Sequence, residues 1–108
     1  MTLIELAKKF ANKKYYYNPI LATDGVNYLY YVNEIIYDDD YKKIYLIMNL
    51  ELDKDCITPN KIVRESKKSY KNYYQVELLC IENNLYTDIK SVGNSQYYNP
   101  SGNQILYF

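Results

Sequence analysis

The sequence contains no histidine and no tryptophan, and only three glycines and two cysteines among its 108 residues. Without histidine, the Ser–His and Cys–His pairs that activate a nucleophile cannot form, and the commonest zinc ligand is missing. Three isolated glycines cannot build the glycine-rich loops that hold ATP or dinucleotide phosphates. Carboxylates, lysine or tyrosine could still support catalysis, but no motif points to it. We therefore predict that the protein is not an enzyme and has no catalytic residue, metal or cofactor.

The two cysteines, Cys56 and Cys80, match no metal-ligand or redox spacing and are too few for a disulfide framework. We expect two small buried thiols. No apolar run approaches the roughly 20 residues that a membrane helix needs, and no secretory leader opens the chain. The sequence therefore predicts a soluble protein of the reducing cytoplasm with no membrane partner.

Basic and acidic residues balance, with 13 lysines and arginines against 13 aspartates and glutamates. No net charge therefore attracts the chain to nucleic acid or to an anionic membrane. Any binding to nucleic acid must come from a local basic patch.

The spacing of apolar residues predicts an α+β fold in which two helices pack on an antiparallel sheet. Thr2 and Glu5 can form a capping box, so the first helix should begin at Leu3. Pro59 should begin the second helix, which extends to about Ser69. The predicted strands are 15–21, 28–37, 44–50, 73–82 and 85–92, and a final hairpin ends in strand 105–108.

Strand 28–37 is so rich in aromatic and branched residues that both of its faces look apolar. Strict alternation would place Ile35 and Tyr37 on one face and Val32 and Ile36 on the other. Such a strand should be central in the sheet or covered on its second face.

The two halves of the chain share an order of parts, namely a threonine-capped helix followed by three strands. Residues 1–52 and 57–108 could therefore be an αβββ duplication within a single domain, 1–108. A true duplication predicts a pseudo-twofold domain with both helices on one side of the sheet. The alternative is an ordinary α+β domain, since helices followed by strands are common in that class.

Sixteen tyrosines are the most unusual feature of the composition. Many must fill sheet faces with the ring packed and the hydroxyl in water, but 16 exceed what a small core can hold. We expect an exposed aromatic patch of the kind found at protein interfaces. Its predicted members are Tyr28, Tyr30, Tyr45, Tyr97 and Tyr98.

An acidic stretch from Glu34 to Asp55 carries seven carboxylates against three lysines. Its three consecutive aspartates match no calcium-binding loop, and a solvated hairpin turn is the simpler interpretation of them. The stretch could also mimic phosphate charge and occupy a nucleic-acid channel, while nearby tyrosines supply contact area. The partner-binding residues predicted on this basis are Glu34, Tyr37, Asp38, Asp39, Asp40, Tyr41, Tyr45, Tyr28 and Tyr30.

The second helix is basic along one face, and tyrosines adjoin that face. A plain solvated helix surface would explain this pattern. Basic groups interleaved with aromatic rings are also what contact with a phosphate backbone and stacking on bases require. The residues of this predicted nucleic-acid site are Lys61, Arg64, Lys67, Lys68, Lys71 and Tyr70.

The segment MTLIELAKKF, followed by DGVNYLYYVNEIIYDDDYKKIYLI, resembles a pattern in small uncharacterised proteins of phages and mobile elements. That pattern joins an MT-x-x-EL helix to a DG…Y…I…YD…VYL hairpin, and the likeness covers about the first 48 residues. The resemblance implies no activity and no functional residue. It implies a context, because small tyrosine-rich phage proteins are often inhibitors of host defence, anti-CRISPR proteins among them.

Three hypotheses of function follow from these patterns. The leading one is a non-enzymatic binding protein in the host cytoplasm, which inhibits a host nuclease complex by occlusion or acidic mimicry. The second is a small nucleic-acid-binding module that uses the basic segment 61–71. The third is a self-associating structural domain, in which strand 105–108 pairs with its copy in a homodimer, as exposed strand edges allow.

Overall fold

Two helices and one seven-stranded sheet make up the part of the chain that the computed structural model describes, which is residues 1–68, 70–96 and 101–108. The strand order in the sheet is β5-β4-β3-β2-β1-β7-β6. This arrangement confirms the predicted α+β fold. The elements in chain order are α1 (Leu3–Phe10), β1 (Leu21–Thr23), β2 (Leu29–Asp38), β3 (Lys43–Asn49), α2 (Pro59–Lys68), β4 (Gln75–Cys80), β5 (Leu85–Asp88), β6 (Ser91–Ser95) and β7 (Asn103–Tyr107).

The sheet is mixed, whereas the sequence pattern suggested antiparallel pairing throughout. β1 runs parallel to β7 and β3 runs parallel to β4, while the other four pairs are antiparallel. Parallel neighbours need a long crossover connection, and α2 lies in the crossover from β3 to β4. Both parallel pairs join strands that are far apart in the sequence, so no local sequence pattern predicts them.

The two halves of the chain pair their strands in a similar way. In the first half, β2 is antiparallel to β1 and to β3. In the second half, β5 and β6 are separated by only two residues and are antiparallel to β4 and to β7, respectively. The halves meet at the parallel pairs β3–β4 and β1–β7, so this pairing is compatible with the αβββ order of both halves, and a true duplication stays a prediction.

The sheet is curled. Only Ile89 and Lys90 separate β5 from β6, although these are its two edge strands. A link of two residues requires the edges to approach each other. The Asn83 side chain, in the turn after β4, accordingly reaches across to the hydroxyl of Tyr30 on β2, with a donor–acceptor distance of 2.7 Å.

The predicted strand 15–21 is wrong. Residues 14–18 form turns, β1 begins only at Leu21, and Lys13 and Tyr15 have φ angles of 61° and 53°. Pro19 has no N–H to donate to a neighbouring strand, which disfavours a strand that continues through this position.

A β-bulge interrupts β2 between Val32 and Glu34, where the register against β3 shifts by one residue. Val32 before the bulge is buried in the core, and Ile35 and Tyr37 after it pack against that same core. Ile36 is left exposed on the opposite face. Strict alternation along this strand was therefore a wrong prediction, because one extra residue exchanges the faces of everything after it.

Both predicted helix starts are confirmed. Thr2 and Glu5 form the complete capping box of α1, and the Thr58 hydroxyl accepts the Lys61 amide at 3.2 Å to cap α2. The apolar stripe of α1 is buried in the core, as expected. Its members are Leu3, Leu6, Ala7 and Phe10.

The two helices run antiparallel beside each other. The Ile4 amide donates to the Asn72 carbonyl just beyond the end of α2, at 3.0 Å. The Asn60 amide at the start of α2 donates to the Tyr16 carbonyl beyond the end of α1, at 2.9 Å. Each helix therefore begins where the other ends.

The last strand is not available for pairing with a second copy. β7 lies between β1 and β6, and the Phe108 amide donates to the Thr23 carbonyl at 3.1 Å. Both of its backbone edges are thus used within the chain. The hypothesis that strand 105–108 joins a homodimer edge to edge is wrong, and the edge strands of the sheet are β5 and β6.

Two glycines have the same φ angle but different surroundings. Alanine at one of them tests the cost of a left-handed backbone alone, and alanine at the other adds the cost of a steric clash. Gly25 and Gly102 both have φ +85°, but a Cβ at Gly25 would meet nothing within 4 Å, whereas one at Gly102 would collide with the Tyr15 ring. We expect Gly25→Ala to cost about 1–2 kcal/mol of unfolding free energy for the left-handed backbone. Gly102→Ala should cost at least about 1 kcal/mol more because the ring must move.

Urea unfolding midpoints of the two alanine variants measure this difference. Adding Tyr15→Ala should bring the cost of Gly102→Ala down to that of Gly25→Ala. Equal midpoints for the two single variants would contradict the packing of Tyr15 on Gly102.

Candidate functional site

A cleft opens at the end of the β2–β3 hairpin that lies opposite its turn. It consists of two adjoining hollows of about 610 and 380 Å³. Asn33, Asn49 and Asp53 line both hollows, and the loop after β3 forms one wall. The bulge in β2 therefore lies at the centre of the cleft.

The side chain of Asn33, the extra residue of the bulge, holds that loop in place. Its Nδ2 donates to the Glu51 carbonyl at 2.8 Å and to Oδ1 of Asn49 at 3.3 Å. Its Oδ1 accepts the Asp53 amide at 3.1 Å. One side chain thus satisfies backbone groups at two positions of a loop that has no strand partner.

Glu82 fixes the same loop from the other side. Its Oε1 accepts the Leu50 amide at 3.1 Å and Nδ2 of Asn49 at 3.3 Å. Asp53 turns the chain within the loop by accepting the Asp55 amide at 3.1 Å. The cleft wall is therefore ordered by contacts within the chain, before any partner binds.

The cleft is acidic and carries little compensating charge. Its charged lining residues are Glu34, Glu51, Asp53, Asp55, Glu82 and a single lysine, Lys54. The ion pairs in the described residues all lie elsewhere, as Lys43–Glu77, Lys61–Glu65, Lys68–Glu65 and Lys71–Asp39. Across the same residues, no group of three or more acidic or cysteine side chains is arranged to hold a metal ion.

Two leucines stand exposed at the cleft. Leu50 and Leu52 line the larger hollow, and 46% and 52% of their surface is accessible. The exposed leucine pair therefore places apolar area beside carboxylates that make no ion pair in the described chain.

The predicted acidic stretch is divided by the hairpin. Glu34 lines the cleft, whereas the three consecutive aspartates form the turn between β2 and β3 at the other end. Asp38 accepts the backbone amides of Asp40 and Tyr41, both at 3.2 Å, which is the turn-forming role of the simpler interpretation.

Asp39 is engaged by residues that follow α2. Its Oδ1 lies 3.0 Å from Nζ of Lys71 and accepts the Tyr74 hydroxyl at 2.9 Å. The hydrogen bonds from Lys71 and Tyr74 lower the pKa of the Asp39 carboxyl. Burial, with the bond to Asp39, raises the pKa of Tyr74 to about 12.

Tyr37 extends this network onto α2. Its hydroxyl donates to Glu65 at 3.0 Å, and Nζ of Lys71 lies 4.7 Å from the centre of its ring. Burial, followed by the bond to Glu65, raises the pKa of Tyr37 well above its usual range. Part of the predicted acidic site is therefore joined to part of the predicted basic site, and these contacts attach the hairpin turn to α2.

Of the predicted aromatic residues, those that the structure describes are not all exposed. Tyr30 is only 1% exposed, and its ring lies 6.1 Å from that of Phe108, so its assignment to the surface was wrong. Tyr28 stacks on Tyr30 and is half exposed before β2, whereas Tyr41 is exposed in the hairpin turn at the far end of that strand. Tyr45 is half-buried on β3. Residues 97 and 98 lie outside the described part of the chain.

The predicted basic residues lie on α2 or just beyond it. Lys61 and Lys68 each have Nζ 3.9 Å from a Glu65 carboxylate oxygen. Arg64 and Lys67 are exposed, as is Tyr70. Lys71 lies beyond the helix end and pairs with Asp39, as described above.

One charged cluster was not predicted. On the sheet face opposite the core, Glu77 is buried, and its carboxylate lies 2.8 Å from Nζ of Lys43, which in turn donates to the Tyr86 hydroxyl at 3.2 Å. Burial raises the pKa of Glu77, but the hydrogen bonds from Lys43 and Tyr86 outweigh it and lower the pKa overall. The three strands involved are neighbours only through the parallel β3–β4 pair, so no sequence spacing could have found the cluster.

The two cysteines are free thiols. Cys80 is buried, as predicted, whereas Cys56 after the cleft loop is only half-buried. Burial raises the pKa of Cys56, with Asp53 and Asp55 adding to the effect. A raised pKa disfavours the thiolate and so argues against a reactive cysteine at the cleft.

Comparison of the chain with family models, with curated proteins and with solved structures gives no match. Neither helix of the described residues is long and apolar enough to cross a membrane.

Asn33→Ala tests whether the bulge orders the cleft. We expect a loss of about 1 kcal/mol of unfolding free energy, since two hydrogen bonds to the loop and one to Asn49 are removed. The larger effect should be local, with amide hydrogen exchange at Asp53 accelerated at least about tenfold. Asn94→Ala on the edge strand β6 is the control. Unchanged exchange at Asp53 in the Asn33 variant would contradict the proposed role of its side chain.

Asp39→Asn tests the attachment of the hairpin turn to α2. Because the folded pKa of Asp39 is lowered, its charge stabilises the fold above the unfolded pKa of about 4, and this contribution is lost as the pH falls through the folded value. The variant should therefore be less stable than the natural chain at pH near 7, and the difference should shrink below about pH 4.

Thermal unfolding of both proteins across this pH range measures the effect. Asp40→Asn, a neighbouring exposed carboxylate, is the matched control and should show little change. A difference between Asp39→Asn and the natural chain that does not depend on pH would contradict the ion pair as its source.

Proposed function

We propose that this protein is a non-enzymatic binding protein that presents its acidic cleft to a basic protein surface. The observation that carries the proposal is the set of cleft carboxylates that have no ion-pair partner in the described chain, on a loop already ordered by Asn33 and Glu82. A preformed site loses less conformational entropy on binding than a flexible acidic tail would.

Charge complementarity selects the class of partner. Carboxylates in a cleft favour a surface that projects lysine or arginine, and Leu50 and Leu52 add apolar area that a small cation could not use. Proteins that bind nucleic acid carry such basic surfaces along their channels. Occupying one of them would block the nucleic acid, which is inhibition by occlusion and acidic mimicry.

The resemblance to small phage and mobile-element proteins favours a host target. In that setting the partner is a host defence nuclease complex, and the protein acts in the cytoplasm of the host cell, as anti-CRISPR proteins do. Within the acidic stretch, the proposal rests on the cleft carboxylates more than on the three aspartates of the turn. Asp38 and Asp39 already accept hydrogen bonds within the chain.

A capture experiment with charge-matched variants tests this function. The tagged natural chain and the variants would be incubated with nuclease-treated and untreated portions of a lysate of the natural host, and retained proteins would be quantified by mass spectrometry. The cleft variant is Glu34→Gln, Glu51→Gln and Asp55→Asn. The control, which removes the same charge elsewhere, is Asp38→Asn, Asp40→Asn and Asp88→Asn.

We expect a stoichiometric protein partner whose retention falls at least about tenfold in the cleft variant and little in the control, because only the cleft variant loses the complementary charges. Added nucleic-acid substrate of that partner should displace it from the natural chain. Equal retention by the two variants, or capture that requires intact nucleic acid, would contradict the proposal.

A further inference from the structure

The balanced composition conceals a strong separation of charge. Segments 1–20 and 59–73, which contain both helices, hold nine of the 13 basic residues and two of the 13 acidic ones. They therefore carry an excess of seven positive charges, and the rest of the chain carries an equal negative excess. A global charge of zero gives no measure of the local field that such a surface produces.

The two acidic residues of these helical segments neutralise only part of this charge, since Glu65 lies near Lys61 and Lys68. Glu5 is occupied in the capping box with Thr2, and Glu65 accepts the Tyr37 hydroxyl on the side of α2 that faces β2. Six basic residues of this layer are exposed and make no ion pair in the described chain: Lys8, Lys9, Lys13, Lys14, Arg64 and Lys67. We call these six the helical basic surface.

Exposed aromatic rings lie at both ends of this surface. Tyr17 follows α1 next to the start of α2, and Tyr70 and Tyr73 follow α2 next to the start of α1, because the helices are antiparallel. Their exposed fractions are 75%, 77% and 58%. The basic residues are therefore spread along helices of up to about 15 Å, and tyrosine rings on which bases could stack lie at either end.

We infer that the helical basic surface binds single-stranded nucleic acid, with phosphates contacting the lysines and arginine and bases stacking on the flanking tyrosines. Unpaired bases expose the rings that such stacking needs, whereas the bases of a duplex are already stacked on one another. The inference goes beyond the acidic cleft, because it uses other elements and the opposite charge. It also differs from a site on segment 61–71 alone, where Lys61 and Lys68 lie near Glu65 and Lys71 pairs with Asp39.

Fluorescence anisotropy with a labelled oligo-dT strand, and with a duplex of equal length, tests the inference. Binding would be measured at several salt concentrations between about 50 and 200 mM. The helical variant is Lys8→Gln, Arg64→Gln and Lys67→Gln. The control, with the same change in net charge, is Lys42→Gln, Lys54→Gln and Lys90→Gln. A third variant, Tyr17→Ala with Tyr70→Ala, removes two stacking rings.

We expect the helical variant to bind oligo-dT at least about tenfold more weakly than the natural chain. The slope of log affinity against log salt should be smaller in magnitude by about 2 for this variant, because three phosphate contacts are lost. The control should stay within about twofold of the natural chain. The tyrosine variant should weaken binding about tenfold with the slope unchanged, because stacking releases no counterions.

Four results would overturn the inference: no binding at the lowest salt, equal weakening of the helical and control variants, tighter binding of the duplex than of the single strand, or full binding by the tyrosine variant. The cleft variant of the preceding subsection should bind the oligonucleotide at least as well as the natural chain. This separates failure of the cleft proposal from failure of this one.

Discussion

The bulge at Asn33 is the feature on which both the core and the cleft depend. One inserted residue transfers Ile35 and Tyr37 to the face that already buries Val32, so a single core extends along the whole of β2. The same residue sends its own amide side chain into the loop after β3, where Nδ2 donates to the Glu51 carbonyl at 2.8 Å. The extra residue leaves one position of β2 without a partner on β3. Its side chain instead makes the hydrogen bonds that order the loop after β3.

The topology also determines where charge accumulates. α1 and α2 cover one face of the sheet side by side, and each keeps its apolar stripe inward, so their lysines collect on one outer surface. Many of the carboxylates lie instead at the β2–β3 turn and on the loop after β3. The two regions meet where Asp39 pairs with Lys71 and Tyr37 with Glu65, and there the charges serve the fold. Away from that contact, the six residues of the helical basic surface and the cleft carboxylates make no ion pair in the described chain.

Sequence alone predicted those elements whose determinants are local. The capping box at Thr2 and the proline at position 59 each mark a helix start within a few residues, and the turn aspartates mark the hairpin. It failed where the deciding interaction is distant. The parallel pairing of β3 with β4 depends on a crossover through α2, and β1 depends on β7 from the far end of the chain. Periodicity fixes the faces of a strand but not its neighbours, and one bulge is enough to exchange even the faces.

The candidate site shows the same limit in electrostatic terms. The acidic stretch was visible as a run of carboxylates, but sequence proximity does not tell which of them meet a cation. Asp39 is neutralised by a lysine 32 positions later, because the turn and the end of α2 come together, whereas Glu51 lies on a cleft wall beside a single lysine. The same acidic stretch therefore has a carboxylate in an ion pair at one end of the hairpin and one without an ion pair at the other. The unpaired ones are available for binding because their attraction for a cation is not yet satisfied within the chain.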